Sequence, residues 1–208
     1  ATFLSNHDNF AGERVFDQLA GDIATYKLAA ATYLTQPGIP FLYYGEEIGI
    51  AAGEGLYGDP ALRVPMSWTE NAKGFSENTP FREVARNIAT HNVAAALKDP
   101  NSLYHFYATL LNLRKNHPAL SIGRYTEIKT AENTLSFQRQ TDEESLLILL
   151  NYNKESHALS VENLPVGATL LPLYSNDSQP LSLEKTSTQI NITLPAQGIQ
   201  IYQILLNR

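Results

Sequence analysis

The chain has no cysteine, which removes disulfide bridges, thiolate metal ligands and cysteine nucleophiles from consideration while leaving the compartment open. No run approaches the roughly 18 consecutive apolar residues of a membrane helix, so no membrane partner is expected. Basic residues are in deficit: 15 Lys and Arg stand against 21 Asp and Glu, a formal net charge of -6. Nothing in that balance builds a basic surface, and nucleic acid is not expected as a partner. A signal-peptide pattern is also missing, and the one methionine, Met66, is internal. A chain that opens on Ala1 inside a strand-like stretch is expected to derive from a longer protein by processing or fragmentation.

With 208 residues, 43% hydrophobic and 17% charged, the sequence is globular and holds one large domain or two modest ones. Aromatics are plentiful, with 11 Tyr and 8 Phe, which serve either as core and sheet residues or as stacking platforms for a ligand.

Residues 1–5 are short and apolar and lead into a polar loop of Asn6, His7, Asp8, Asn9 and Gly12. Between 21 and 35, Ile23, Tyr26, Leu28, Ala30, Ala31 and Leu34 recur in an alanine-rich stretch that predicts an amphipathic helix. Asp22 suits its N-terminal dipole, and Gln36, Pro37 and Gly38 end it. Residues 39–44 (IPFLYY) are continuously apolar and read as a parallel strand covered on both faces, with Pro40 at its start. Strand, helix, strand over 3–44 is a crossover unit of an α/β domain.

Glycine and proline punctuate 45–100, which reads as a functional loop region with a short helix near 84–90 and another turn of helix at 93–97. A clear helix follows at 102–116, with Ser102 as N-cap, Arg114, Lys115 and His117 suiting its C-terminal end, and Pro118 as its stop. Beyond Leu120 the composition changes. Short runs at 125–129, 135–139, 146–151, 157–161, 168–173, 188–194 and 199–206 are separated by turn residues. A spacing of about ten residues predicts an antiparallel β-sandwich of seven or eight strands. The domain boundary is placed near Ser121, giving segments 1–120 and 121–208.

Two places could carry chemistry. His7 and Asp8 would lie at the C-terminal end of a parallel strand, where α/β folds bind ligands. The residues by themselves favour the plainer reading, a turn capped by Asp8 with His7 packed against it. No G-x-S-x-G elbow accompanies them. Glu46 and Glu47 follow the second strand; a close carboxylate pair raises one pKa and suits general-acid work. Neighbours in an extended chain point to opposite sides, however, which favours structural roles for both. His91, His105, His117 and His157 have no metal-ligand spacing, and no metal site is expected. The glycines at 45, 49, 53, 55 and 58 match neither a dinucleotide fingerprint nor a P-loop. Asn176 and Asn191 open N-x-Ser/Thr patterns that matter only in a glycosylating pathway.

The motif FLSNHD at 3–8 resembles the seventh-strand motif of the α-amylase family of glycoside hydrolases. Three later segments resemble the same family in the same order: PGIPFLYYGEEIG at 37–49, GDPALRVPMSW at 58–68, and SLYHFYATLLNLRKNHPAL at 102–120. They look like the eighth barrel strand and its exit, the following loop, and the last barrel helix, most similar to bacterial α-amylase and α-glucosidase-like members. The resemblance implies an α/β plus all-β fold: the last part of a (β/α)8 barrel, with strands 7 and 8 and their helices, followed by an antiparallel β-sandwich C-terminal domain.

It also implies a retaining enzyme acting on α-glucans or maltooligosaccharides. Asp8 then matches the carboxylate that stabilises the oxocarbenium-like transition state by accepting from hydroxyls of the sugar at the cleavage subsite. His7 matches the neighbouring subsite histidine, and Asn6 would orient the pair. The family's nucleophilic aspartate and acid/base glutamate, set about 5 Å apart, would both precede residue 1, as would the calcium site of many relatives. No cofactor is expected within this segment, and the missing N-terminal part of the barrel is the expected protein partner. The isolated chain is expected to lack glycosidase activity. For the closest-looking relatives an extracellular or periplasmic location is expected over a cytoplasmic one. Transglycosidases and trehalose-forming isomerases share these motifs, and a non-catalytic carbohydrate-binding fragment is the alternative from another class.

Overall fold

The computed structural model describes residues 1–71, 73–177 and 188–206. They form two compact units, one of Ala1–Tyr33 with Pro40–Leu110, the other of Leu34–Ile39 with the chain from Leu111 onward. In chain order the helices are α1 (Val15–Gln18), α2 (Ile23–Thr35), α3 (Asp59–Leu62), α4 (Val93–Ala96), α5 (Leu103–Asn116) and α6 (Pro118–Ile122).

In the first unit, α2 starts where Asp22 caps it. Asp22 Oδ1 accepts from the Ala24 and Thr25 amides at 3.1 and 3.2 Å, satisfying donors that no preceding turn can reach. Tyr26, Ala30 and Tyr33 lie on one face and Leu28 and Ala31 on another, and all are buried. The helix is therefore enclosed from several sides, where the sequence predicts a single apolar face. Ser102 caps α5 as expected, accepting from the His105 amide at 3.4 Å.

The strand expected at 39–44 does not form. One parallel bridge, Thr2 to Pro40, links it to the chain start, and the Phe41 amide donates to the Thr2 carbonyl at 2.8 Å. Phe3, Phe41 and Leu42 are exposed. A buried parallel strand needs partners along both edges and cover on both faces, and among the described residues this run has one bridged neighbour. No closed barrel is present among them. The expected helix near 84–90 is a series of turns instead. Asn87 explains it: its side chain accepts from the Ala51 amide at 3.0 Å and donates to the Gly49 carbonyl at 2.9 Å, tying the segment to the 49–51 loop. The turn at 93–97 does form, as α4.

Residues 45–50 make a tight loop around Gly45, whose φ of +81° places it in the left-handed region. A Cβ there would collide with the Ile50 side chain, so only glycine fits. Ile48, Ile50, Val64 and Ala85 form a small core under this loop.

The second unit is built from antiparallel strands β1 (Arg124–Ala131), β2 (Thr134–Gln140), β3 (Ser145–Asn151), β4 (His157–Val161), β5 (Thr169–Ser175), β6 (Ile190–Leu194) and β7 (Ile199–Leu205). Each overlaps one of the seven runs read from sequence. They pair as a five-stranded sheet in the order β1-β2-β3-β7-β5 and a two-stranded sheet β4-β6. Leu147, Leu149, Tyr202 and Ile204 of the first sheet close on Leu159, Val161, Ile192 and Leu194 of the second. Glu132 and Asn133, both at positive φ, make the β1-β2 turn; two successive left-handed residues match the strand twist. The Asn176 glycosylation pattern ends on Ser178, which lies outside the described residues.

Arg114 stands in the last turn of its own helix, as read from sequence, and its side chain also reaches the end of α2. Its guanidinium donates to the Leu34 and Gln36 carbonyls at 2.8 and 3.0 Å and to the Gly38 carbonyl. Fully buried Arg139 adds a bond to the Thr35 carbonyl at 2.7 Å and another to Gly123 at 3.0 Å. Two cations thus cover the orphan carbonyls where α2 ends. Burial, followed by the charge of Arg114, pushes Arg139 down to about 10, so it stays protonated at neutral pH.

Candidate active site

Within the first unit, Asn6, His7 and Asp8 leave the short N-terminal stretch and are set by local hydrogen bonds. Asn6 Oδ1 accepts from the Asp8 amide at 2.8 Å, a side-chain turn that holds Asp8 extended. The next residues tighten into a 3-10 turn, Asn9–Ala11, with Gly12 at φ +98° behind it.

Asp8 has two partners. Its Oδ1 lies 2.7 Å from Arg63 Nη2, and its Oδ2 lies 3.4 Å from His7 Nε2. Arg63 follows directly on α3 and binds three groups at once: Asp8, the His7 carbonyl through Nε at 2.8 Å, and Asp59 Oδ2 at 2.9 Å. Asp59 Oδ1 in turn accepts from the Asn9 amide at 2.8 Å. The α3 helix and the 6–9 loop are therefore fastened through the Arg63 guanidinium and the Asn9–Asp59 bond. The side chains remain open to solvent, with exposures of 37% for Asp8, 41% for Arg63 and 64% for His7. At such exposure the ion pairs contribute little stability, typically about 0–1 kcal/mol; what they provide is position. The result is a fixed carboxylate flanked by an imidazole and a guanidinium, all accessible and all able to hydrogen-bond a polyhydroxylated ligand.

Sequence reasoning quoted the 58–68 stretch as a motif but singled out neither Asp59 nor Arg63. The signal was present in their spacing: an acid four residues ahead of a base on a short helical stretch is a favourable pair. Arg14 was missed as well. It is buried against the rings of Tyr43 and Tyr44, 4.2 and 4.7 Å from their centroids, and donates to the Tyr44 and Leu62 carbonyls at 2.6 and 2.5 Å.

Glu46 and Glu47 part company. Glu46 is buried, and its Oε1 accepts from both Tyr33 and Tyr107 hydroxyls at 2.7 Å, while the Tyr26 hydroxyl donates to its carbonyl at 2.9 Å. Its Oε2 is buried without a hydrogen-bond partner. Burial raises the Glu46 pKa, against the opposing effect of the tyrosine hydrogen bonds. Glu47 is half-buried and is also raised by burial, but it lines a cleft that Arg63 shares.

The comparisons with known proteins agree with the motifs. A family model described as "Alpha amylase, catalytic domain" matches residues 1–123, and the chain belongs to the alpha-amylase family. Among curated relatives, Alpha-amylase 3 of Dictyoglomus thermophilum is 36% identical over 167 residues, covering 78% of this chain and 32% of that protein. Trehalose synthase/amylase TreS of Mycobacterium tuberculosis is 31% identical over 192 residues, covering 73% and 32%. The chain thus spans about a third of the length of these two relatives. Among solved structures, trehalulose synthase MutB of Pseudomonas mesoacidophila superimposes with a TM-score of 0.77 at 26% identity, over 98% of this chain and 43% of that one. A mutant isomaltulose synthase of Erwinia rhapontici in complex with D-glucose matches with a TM-score of 0.77 at 22% identity, over 99% and 43%, which shows the fold alone.

Proposed function

We propose that this chain is one wall of the active site of a retaining enzyme acting on α-glucosidic bonds. Asp8 is the carboxylate that holds the reacting sugar ring and favours its distorted, positively charged transition state. His7 donates to the same ring, and Asn6 sets the Asp8 backbone. Arg63 aims the Asp8 carboxylate. The observation that carries the reading is this accessible, laterally fixed carboxylate inside the segment matched by the catalytic-domain family model.

Nucleophile and general acid must stand about 5 Å apart on either side of the bond that breaks. The neighbouring carboxylate, Asp59, shares Arg63 with Asp8 and binds the Asn9 amide, which suits neither role. Both groups are expected from the portion of the relatives that this chain does not span. Incubating the 208-residue chain with a chromogenic maltooligosaccharide is expected to give no turnover; clear release of chromophore would sink the assignment.

Between hydrolysis of starch and transfer of a glucosyl group, the similarity to trehalulose synthase supports isomerisation or transfer, while the similarity to Alpha-amylase 3 supports hydrolysis. The whole-chain structural likeness favours transfer. Product analysis of the enzyme that carries this segment, on starch, maltose and sucrose, separates the two: isomerised disaccharide from sucrose supports transfer, and maltooligosaccharides from starch alone support hydrolysis.

A further inference from the structure

Arg63 aims the Asp8 carboxylate, yet little in its own surroundings holds it still. It is 41% exposed, and ion pairs at such exposure are weakened by water. It stands directly after α3, a helix of four residues, which is too short to keep its shape without outside contacts. The aim of the Arg63 side chain therefore depends on what fixes the backbone on either side of it.

Both flanking carbonyls are held. The Leu62 carbonyl accepts from Arg14 Nη2 at 2.5 Å and from the Tyr43 hydroxyl at 3.2 Å. The Val64 carbonyl accepts from the Tyr44 hydroxyl at 2.6 Å. Carbonyls at a helix end lack partners within the helix and carry partial negative charge, so a guanidinium suits them. Arg14 also places the two tyrosines. Its guanidinium carbon lies 4.2 and 4.7 Å from their ring centroids, and its Nη1 donates to the Tyr44 carbonyl at 2.6 Å.

Arg14 belongs at the same time to the segment that carries Asp8. It follows Gly12 by two residues, and its carbonyl accepts from the Asp17 and Gln18 amides at 2.8 and 3.0 Å as α1 begins. Its backbone thus ends the loop that starts at Asn6, while its side chain reaches the residues around Arg63. One residue sets the span between carboxylate and guanidinium. Stability alone explains it poorly. Arg14 is 1% exposed, its hydrogen bonds go to carbonyls, and its Nε–H is buried without a partner. Burying a cation in this way carries a cost that an apolar side chain would avoid.

We propose that Arg14 is a positioning residue of the active site: through the Leu62 carbonyl and the Tyr43–Tyr44 pair it fixes Arg63, and through Arg63 the Asp8 carboxylate. Being buried, it does not touch the sugar itself. The proposal rests on the reading of Asp8 given above.

Two signals are followed by NMR in the 208-residue chain. Exchange of the Arg63 Nε–H with water reports its bond to the His7 carbonyl without any ligand, and the His7 imidazole protons report the response to maltotriose. Arg14→Lys keeps the charge and loses the forked donors. It is expected to speed Arg63 exchange and to weaken maltotriose at His7, each about tenfold. Tyr43→Phe keeps the ring and removes one neutral bond to the Leu62 carbonyl, so about threefold is expected in both. Val15→Ala is the control: this buried neighbour in sequence is expected to lower the thermal midpoint and to move neither signal. Unchanged signals in Arg14→Lys overturn the proposal; where that variant does not fold, unchanged signals in Tyr43→Phe do so. An equal loss in Val15→Ala also overturns it, because the effect then follows stability. A wild-type chain without a His7 response overturns the Asp8 reading, and Arg63 exchange then decides the role of Arg14 by itself: faster exchange in Arg14→Lys supports it, and unchanged exchange overturns it.

Discussion

Phe137 and Phe41 are both phenylalanines inside strand-like runs, yet the first is fully buried and the second is 59% exposed. Phe137 lies on β2, which has β1 on one edge and β3 on the other, and pairs across to Ile148. Those neighbours come from the adjoining sequence through short turns. Phe41 belongs to a run suited to a parallel sheet, where each partner arrives through a long crossover, and its one bonded neighbour is Thr2. The strand around Phe137 finds both its partners in adjoining sequence, whereas a parallel strand depends on distant ones. In the first unit the result is exposed apolar side chains and half-open charges; in the second it is a closed sandwich core.

The largest expected effect tests that contrast directly. Phe137→Ala opens a cavity in a packed core and is expected to cost about 3–5 kcal/mol. Phe41→Ala removes an exposed ring and is expected to change stability by less than about 0.5 kcal/mol. Urea denaturation followed by circular dichroism measures both. Equal losses would mean that Phe41 is covered in solution and would break the comparison.

The same contrast applies to charge. Arg139→Met strips the donors from the Thr35 and Gly123 carbonyls inside the second unit, at an expected cost of about 2–3 kcal/mol for unsatisfied buried groups. Arg124→Met is the control: its partner Asp142 is 92% exposed and Arg124 itself 64%, so a change within about 0.5 kcal/mol is expected. A neutral Arg139→Met would show that the α2 carbonyls find water instead.

How much of this could be read from residues alone follows the same line. The seven strands among the described residues of the second unit were legible as strands, because alternation and turn residues are local properties, whereas the pairing of β3 and β5 with β7 was not. The caps of α2 and α5, Asp22 and Ser102, were legible for the same reason. The reach of Arg114 was not, since the carbonyls it serves lie at the end of another helix far away in sequence. Nor was the Asn87 side chain's hold on the 49–51 loop, which cancels a helix the local pattern allows. At the site, the order of four motifs pointed to Asp8, His7 and Asn6, whereas the 55-residue separation between Asp8 and Arg63 hid the group that holds the carboxylate.

Glu46 gives a prediction in pH. Burial raises its pKa above the ordinary carboxylate value, so the folded state prefers the neutral acid. Its favourable contribution is complete below the unfolded pKa and is lost as pH rises through the folded one. The thermal midpoint of the first unit is therefore expected to fall on going from about pH 4.5, the ordinary carboxylate range, upward. Glu46→Gln keeps an oxygen to accept from Tyr33 and Tyr107 but cannot ionise, and it should flatten this slope. A slope unchanged by Glu46→Gln assigns the dependence to another group. Because the second unit lacks Glu46, its own transition serves as the internal reference.

Arg63 is expected to matter little for stability and most for position, which sharpens the distinction between a core cation and a site cation. Arg139 is buried and serves carbonyls, whereas Arg63 is 41% exposed and serves carboxylates. Exposed pairs of this kind are screened by water and salt, so Arg63→Gln should shift stability by no more than about 1 kcal/mol. The substitution nevertheless removes the shared guanidinium between Asp8, Asp59 and the His7 carbonyl. The His7 imidazole response to maltotriose should then weaken while the thermal midpoint stays in place. If high salt alone reproduces the Arg63→Gln result, the pair acts through charge. If salt leaves the response intact and Arg63→Gln abolishes it, the hydrogen-bond geometry of the guanidinium is what sets Asp8. A large loss of stability in Arg63→Gln would contradict both, because it would place Arg63 among the structural cations of the molecule.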